Sequence, residues 1–238
     1  MTLNRFIVLL ILLSILAALF YHLQQWRLGK LKVLSSPTHI VFPAAISTPN
    51  EKTRIVLFGD SRMAEWQSTW PAKYDVVNRG ISGSTSVQAL ERLKRDVLDH
   101  DPDWVVVQVG INDIVASRLV FGKAREKILD EIPANLEKIL NELTRSGARV
   151  ILMPVVPDIN IDMIRFLLWQ GSLESSVKKV NAQLQTVDGL NVITLDTAAL
   201  FSTEGKWRKD FSRDALHWNT KAYKALQTAV LEIIERRY

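Results

Sequence analysis

A serine stands at the end of a short apolar run, where it could serve in a turn or in catalysis. Residues 55–58 read Ile-Val-Leu-Phe and are followed directly by Gly59-Asp60-Ser61. Glycine, aspartate and serine are common turn residues, so a structural turn is the simplest interpretation. A serine hydroxyl in the same position becomes a nucleophile when a general base lies within hydrogen-bonding distance. Whether the sequence supplies that base separates the two interpretations.

His217 is the histidine best placed to act as the base for Ser61. The chain has four histidines. The other three border the apolar N-terminal run, lie in a polar linker, or precede a strand at the opposite edge of the predicted sheet: His22, His39 and His100. His217 lies between the last predicted strand and the last predicted helix, at the same sheet edge as Ser61. Asp214, three residues earlier, can accept a hydrogen bond from the imidazole Nδ1 and fix its tautomer, although such a pair can also cap a helix.

Two further loops carry groups that could stabilise an oxyanion. The sequence NRGISGSTS at 78–86 follows the second predicted strand, and GIND at 110–113 follows the third. Gly83 can bring its backbone N–H close to a ligand because it lacks a Cβ, and Asn112 offers a side-chain amide. Each group is ordinary in a loop by itself. Suitable groups in several loops at one sheet edge favour a site.

The elements that position these residues alternate between strand and helix. Strands are predicted at 54–58, 75–78, 104–109, 149–156 and 191–195, and helices at 86–98, 123–146, 173–187 and 219–236. The strand segments are apolar on both faces, which is typical of a covered parallel sheet and predicts an α/β domain. Val87 and Ile233 are among the residues expected to face inward from the helices. In such sheets, sites gather beyond the carboxyl ends of the strands.

Composition excludes several classes of site. The chain has no cysteine, so disulfides, thiolate zinc sites and cysteine nucleophiles are absent. Its net charge of +5 comes mostly from residues 1–50, which hold four basic and no acidic residues, whereas the rest holds 26 basic and 25 acidic ones. A nucleic-acid partner is therefore not expected, because that function needs basic residues clustered in the folded part.

Residues 6–21 form an apolar run with Arg5 before it and basic residues after it. As a helix the run spans about 24 Å, slightly less than a hydrocarbon core. We interpret it as an uncleaved membrane anchor in preference to a cleaved signal peptide or a buried helix. The predicted organisation is an anchor with its basic flank at 1–32, a linker at 33–53 and a catalytic domain at 54–238. We expect that domain on the extracytoplasmic (periplasmic) side, although the positive-inside rule alone favours the cytoplasm.

The four motif blocks resemble those of the SGNH hydrolases, also called the GDSL family of lipases and esterases. The letters S, G, N and H of the first name are matched in order by Ser61, Gly83, Asn112 and His217, and Asp214 precedes the histidine. The blocks span residues 54–218. The blocks NRGISGSTS and VQVGIND are similar to those of the bacterial thioesterase/lysophospholipase branch.

The resemblance implies a three-layer, flavodoxin-like fold and an acyl-enzyme mechanism. Ser61 is then the nucleophile, His217 the general base and later the acid, and Asp214 the residue that orients the imidazole. The oxyanion donors are the N–H groups of Ser61 and Gly83 and the amide of Asn112. Neither a metal nor a cofactor is implied.

Two positions depart from the family pattern. Arg62 replaces the leucine of the GDSL name, which puts the substrate in question rather than the chemistry. Trp218 stands where the related branch usually has proline, and it is expected either to pack in the core or to form a wall of the pocket.

Three functions fit these residues. The first is a hydrolase of acyl or acetyl esters, of lipid or of envelope glycan; the second is an O-acyltransferase with the same triad and a sugar hydroxyl as acceptor. The third is a non-catalytic envelope protein that binds glycan or lipid, and the complete set of site residues argues against it. The apolar segment 159–172 is interpreted either as a lid over an acyl chain or as a helix that is buried or lies on the membrane.

Overall fold

The computed structural model describes residues 3–35, 41–43, 51–156, 173–184, 191–203, 206–214 and 216–236. The apolar segment 159–172 therefore lies outside the described residues. The chain divides into two compact units, residues 1–36 and residues 37–238.

The first unit is a single long helix, α1 (Leu3–Ser35). The helix continues well past the apolar run 6–21, so the first residues of the predicted linker, 33–35, are helical. Its stretch Arg5–Gly29 is long and apolar enough to cross a membrane, and none of the most apolar part is buried. The helix is therefore a candidate transmembrane helix or signal anchor.

The second unit is an α/β domain. Its strands are β1 (Thr53–Gly59), β2 (Tyr74–Gly80), β3 (Trp104–Gln108), β4 (Arg149–Leu152), β5 (Val192–Thr194), β6 (Ser202–Thr203) and β7 (Lys206–Trp207). Its α-helices are α2 (Ser61–Ala64), α3 (Ser86–Asp96), α4 (Ile111–Ser117), α5 (Gly122–Arg145), α6 (Leu173–Leu184), α7 (Thr197–Leu200) and α8 (Thr220–Arg236), with 3₁₀ turns at Leu98–His100 and Lys209–Phe211.

Five parallel strands form the main sheet in the order β2-β1-β3-β4-β5, and β6 pairs with β7 as a small antiparallel ribbon. The five strands predicted from the apolar runs are confirmed. β4 is shorter than the predicted 149–156: it ends at Leu152, and two residues later Pro154 has no N–H to donate to a ladder.

Side chains alternate between the two faces of the sheet because the strand repeat is two residues. In β1, Val56 and Phe58 enter a core shared with α3, α4, α5 and α6. Ile55 and Leu57 enter a second core, to which α8 contributes Leu226 and other residues. The predicted three-layer arrangement is confirmed.

One residue on each of two helices departs from the predicted inward face. Val87 is 43% exposed, and α3 instead buries Ala89 and Arg92 among other residues. The Arg92 guanidinium donates to the Gly59 carbonyl at 2.7 Å, which fixes the inward face of α3. On α8, Ile234 is fully buried, whereas Ile233 is only partly buried against the second core.

The short helix α2 is held against the end of β2 by a close backbone approach. A Cβ built on Gly80 would lie 2.1 Å from the Ala64 nitrogen. No side chain fits at that position without moving one of the two segments. Since α2 begins with Ser61, this contact also fixes the position of the serine.

Asp60 is the N-cap of α2 and is completely buried. Its Oδ1 accepts the Arg62 N–H at 2.9 Å, whereas Oδ2 has no hydrogen-bond partner among the residues described. Burial raises the pKa of Asp60 to about 6, although the positive charge of Arg62 acts in the opposite direction.

We expect Gly80→Ala to destabilise the protein by about 3 kcal/mol, because the added methyl must push α2 and β2 apart. Urea unfolding of the full chain in detergent, followed by tryptophan fluorescence, measures this loss. The control is Gly147→Ala, which has φ 93° but no atom within 4 Å of the added Cβ. It should cost only about 1 kcal/mol of backbone strain. Equal losses in the two variants would contradict the close approach of α2 to β2.

We expect the stability of the wild-type chain to fall, relative to Asp60→Asn, as the pH rises from about 4 to about 7. In this window the folded protein keeps a proton on Asp60 that the unfolded chain has released, so a higher pH favours unfolding. A shift to about 6 from the usual 3.8 corresponds to a change on the order of 3 kcal/mol. Asparagine retains the capping oxygen but does not titrate. Urea unfolding of both proteins across this range gives the free energy of unfolding at each pH. Parallel pH profiles of the two proteins would show that folding does not raise the pKa of Asp60.

Candidate active site

Ser61 and His217 are in direct contact although 156 positions separate them in the sequence. Ser61 is the first residue of α2 and is 9% exposed. Its Oγ lies 3.1 Å from Nε2 of His217, which is hydrogen-bonding distance. The base suggested by elimination in the sequence therefore lies beside the serine.

Asp214 faces the other nitrogen of the imidazole. The His217 Nδ1 lies 2.9 Å from both Oδ1 and Oδ2 of Asp214. The backbone N–H groups of Leu216 and His217 also donate to Oδ1, at 2.8 and 3.1 Å. The alternative that Asp214 caps the last helix is wrong, because Asn219 caps α8 by accepting the Lys221 N–H.

The Asp214 carboxylate is strongly biased towards its ionised form. Burial by itself would raise the pKa of Asp214. The hydrogen bonds from Leu216 and His217, the electrostatic effect of His217 and the hydrogen bond from Arg213 outweigh burial and lower this pKa to about 2. Asp214 is therefore negatively charged at any pH near neutrality and holds the proton of the imidazole on Nδ1.

A second carboxylate, on Glu65, lies near the imidazole and was not found from the sequence. Its Oε1 is 3.8 Å from Nε2 of His217. The Arg213 guanidinium contacts Glu65 Oε2 at 3.0 Å and Asp214 Oδ2 at 3.2 Å, so one cation bridges both acids. The only signal in the sequence was the position of Glu65, four residues after Ser61.

The two loops expected to supply oxyanion donors lie side by side. Gly83 has φ 80° and no atom within 4 Å of the position a Cβ would take. The side-chain amide of Asn112 donates to the carbonyl of Ser84, the residue after Gly83, at 3.0 Å. The neighbouring Asp113 accepts the Ser86 N–H and hydroxyl, and its burial raises its pKa to about 6. These contacts fasten the start of α4 to the start of α3.

An open groove of about 590 Å³ lies between residues 65–69 and the first turns of α8. Trp218, the residue after His217, lines it, whereas Ser61 and His217 do not. Glu65 and Arg213 form part of its wall, and most other lining side chains are uncharged and polar, among them Asn219 and Gln227. Within the described residues, no group of three His, Cys, Asp or Glu side chains could hold a metal ion.

Trp218, which follows His217, is a core residue. It is 5% exposed, and its ring centroid lies 4.9 Å from that of Phe201. Both roles expected for Trp218 are observed, because it packs in the core and also lines the groove. The histidine is thus anchored on its C-terminal side by a buried aromatic cluster.

The GDSL-like lipase/acylhydrolase family model matches residues 49–225. Acetylxylan esterase from Geobacillus stearothermophilus is 39% identical over 79 residues, which are 33% of this chain and 36% of that protein. Thioesterase 1/protease 1/lysophospholipase L1 from Escherichia coli (strain K12) is 39% identical over an alignment of 113 residues. The alignment covers 42% of this chain and 50% of that protein. The chain thus spans half the length or less of these curated relatives.

Solved structures share the fold. A GDSL-like lipase from Bacteroides thetaiotaomicron gives a TM-score of 0.63 at 21% identity, over 81% of this chain and 92% of its own. A catalytic mutant of the Geobacillus acetylxylan esterase gives 0.60 at 22% identity, over 77% of this chain and 94% of its own. The catalytic mutants crystallised for that esterase replace a serine, an aspartate or a histidine. With a family model that matches most of its length, the chain belongs to the GDSL-like lipase/acylhydrolase family, as its four motif blocks predict.

Proposed function

We propose that the protein is a carboxylic-ester hydrolase with Ser61 as nucleophile, His217 as general base and acid, and Asp214 as the residue that orients the imidazole. The main support is the hydrogen-bonded series from Ser61 Oγ through His217 to Asp214, at 3.1 and 2.9 Å. In the related acetylxylan esterase the mutated aspartate and histidine are three positions apart, as Asp214 and His217 are. The arrangement matches the roles of a serine, histidine and aspartate triad.

In the acylation step, Nε2 of His217 accepts the hydroxyl proton as Ser61 Oγ attacks the ester carbonyl carbon. The carbonyl oxygen becomes an oxyanion, for which the Ser61 and Gly83 N–H groups and the Asn112 amide are the proposed donors. The intermediate collapses by breaking the bond to the alcohol oxygen, which takes the proton from Nε2. Water, deprotonated in the same way, then releases the acid and regenerates Ser61.

Asp214 contributes through its charge in this scheme. With a pKa of about 2, it remains an anion while His217 carries the transferred proton on Nε2. A carboxylate on Nδ1 stabilises the imidazolium and keeps Nε2 directed at the serine. The backbone donors that hold Asp214 keep it in place throughout.

The polar groove between residues 65–69 and α8 suggests a hydroxyl-rich alcohol as the other half of the ester. The departing alcohol receives its proton from Nε2, so it must leave on that side of the imidazole. Glu65 lies 3.8 Å from Nε2 and lines the groove, which connects the groove to the proton donor. We therefore propose an acylated sugar, with an acetyl or other short acyl group, as the substrate class.

We propose further that α1 anchors the protein in a membrane and that the catalytic domain at 54–238 is displayed on the extracytoplasmic side. The length and apolar composition of Arg5–Gly29 support the anchor. A basic residue directly before the apolar run, Arg5, is typical of an export signal. Such a location would give the site access to envelope glycans.

We expect Ser61→Ala and His217→Ala each to lower kcat on p-nitrophenyl acetate by about 10⁴-fold or more, and the double variant to be little worse. The two side chains act in the same proton transfer, so removing the second costs little once the first is gone. The measurement uses the full chain in detergent. Ser146→Ala, which removes a hydroxyl bonded to Leu143 O at the end of α5, is the control and should keep wild-type turnover. Activity in Ser61→Ala, or losses that multiply in the double variant, would contradict the shared mechanism.

We expect kcat/KM on p-nitrophenyl esters to be highest for acetate and to fall by at least about tenfold for palmitate. Acetylated xylooligosaccharides should be hydrolysed with release of free acetate. A maximum at long chains would contradict the short-acyl proposal. Transfer of the acetyl group to added sugar without free acetate would identify the alternative, an O-acyltransferase.

A further inference from the structure

We infer that Arg62 is a positioning residue that sets the place of His217 relative to Ser61. The inference rests on the proposed function of these two side chains. Arg62 follows Ser61 directly and is 1% exposed, so its guanidinium is buried beside the site rather than free in solvent. A buried cation of this kind is costly unless its N–H groups are satisfied by well-placed acceptors.

The guanidinium joins two segments that are distant in sequence. Arg62 Nε donates to the Leu216 carbonyl at 2.9 Å, and Nη1 donates to the Val156 carbonyl at 2.9 Å. Val156 follows β4, and Leu216 directly precedes His217. Arg62 therefore links the first turn of α2, the chain after β4 and the loop that carries Asp214 and His217, here called the histidine loop.

Ser61 and Arg62 are adjacent at the start of α2, and they contact two adjacent residues, His217 and Leu216. Ser61 meets His217 through Oγ and Nε2 at 3.1 Å, and Arg62 meets Leu216 through Nε and the carbonyl at 2.9 Å. A displacement of the Leu216 peptide would move the histidine backbone with it. The contact between Arg62 and Leu216 thus controls the distance between Ser61 Oγ and His217 Nε2.

Arg62 also contacts the residue on the other side of the histidine. Its guanidinium carbon lies 4.8 Å from the ring centroid of Trp218, and the Tyr223 hydroxyl donates to the Arg62 carbonyl at 2.9 Å. The guanidinium and the main chain of Arg62 are therefore both fixed. His217 lies between two residues, 216 and 218, that each touch the same side chain.

Only an arginine provides this geometry. Its planar fork presents several N–H groups in fixed directions and stacks on aromatic rings. A leucine, as in the GDSL name, would leave the Leu216 and Val156 carbonyls without this donor in a buried setting. A lysine has a single nitrogen and cannot reproduce both contacts together with the stacking.

The test compares Arg62→Ala and Arg62→Lys with the wild-type full chain in detergent, on p-nitrophenyl acetate. We expect Arg62→Ala to lower kcat by about 100-fold, because small misplacements of catalytic groups cost this much. KM should change by less than about threefold, since no substrate contact is lost. Guanidinium ion, added at non-denaturing concentrations, should restore part of kcat in Arg62→Ala by occupying the vacated space. Arg62→Lys should have a kcat between those of the alanine variant and the wild type.

A matched control separates positioning from stability. Arg54 is 8% exposed, and its Nη1 donates to the His100 carbonyl at 2.7 Å, at the opposite edge of the sheet. Arg54→Ala should lower the thermal midpoint but keep wild-type kcat and show no response to guanidinium. Equal kcat losses in Arg54→Ala and Arg62→Ala, or a loss in Arg62→Ala without guanidinium rescue, would reduce Arg62 to a structural role.

If Arg62→Ala does not fold, Arg62→Lys tests whether Arg62 positions His217. Wild-type kcat in folded Arg62→Lys would overturn the inference, and a reduced kcat at unchanged KM would support it. Ser61→Ala distinguishes this failure from failure of the proposed function. If Ser61→Ala is inactive while the Arg62 variants are fully active, only the inference about Arg62 is wrong. If Ser61→Ala is active, the proposed mechanism itself is wrong.

Discussion

The site depends on the parallel pairing of β1 with a neighbour on each side. In this register Gly59, the last residue of β1, lies opposite Gly80 of β2 and Gln108 of β3. Three strands therefore end together, and the loops after them begin at one edge. The loops deliver Ser61 and the two blocks proposed to bind the oxyanion to that edge, and side-chain contacts such as that of Asn112 with the Ser84 carbonyl hold the loops together there. Strand register thus sets where half of the candidate site begins.

The other half depends on tertiary contacts, because the histidine loop does not follow a central strand. It is a tight turn in which the Arg213 N–H donates to the His217 carbonyl and the Asp214 carboxylate accepts the N–H groups that follow it. These hydrogen bonds join Arg213, Asp214, Leu216 and His217 to one another. The Arg62 side chain contacts the residues on both sides of the histidine, Leu216 and Trp218. The buried guanidinium and the packing of Trp218 in the core together connect this turn to the rest of the domain.

The sequence predicted the strands, their parallel arrangement and the residues of the proposed triad, since apolar runs and strand ends are local properties. It did not predict that the inward face of α3 includes Arg92 and Asp96, which form a buried ion pair at 3.1 Å. Hydrophobic periodicity misses such residues, because it counts charged residues as exposed. Glu65 was missed for a related reason. Its place beside His217 follows from contacts between residues about 150 positions apart, which no local pattern encodes.

A role in a turn and the proposed role in catalysis are compatible in the segment Gly59-Asp60-Ser61-Arg62. Gly59 allows the Gln108 backbone to approach to 2.0 Å from where a Cβ would be, and Asp60 caps the helix that follows. Both are turn functions, and both fix the hydroxyl that the proposed mechanism uses. Asp60 is also buried within reach of the positive charge of Arg62, and its carboxyl would be harder still to ionise without that charge. Arg62, the residue that departs from the family name, therefore acts both on the residue before the serine and on the loop that carries His217.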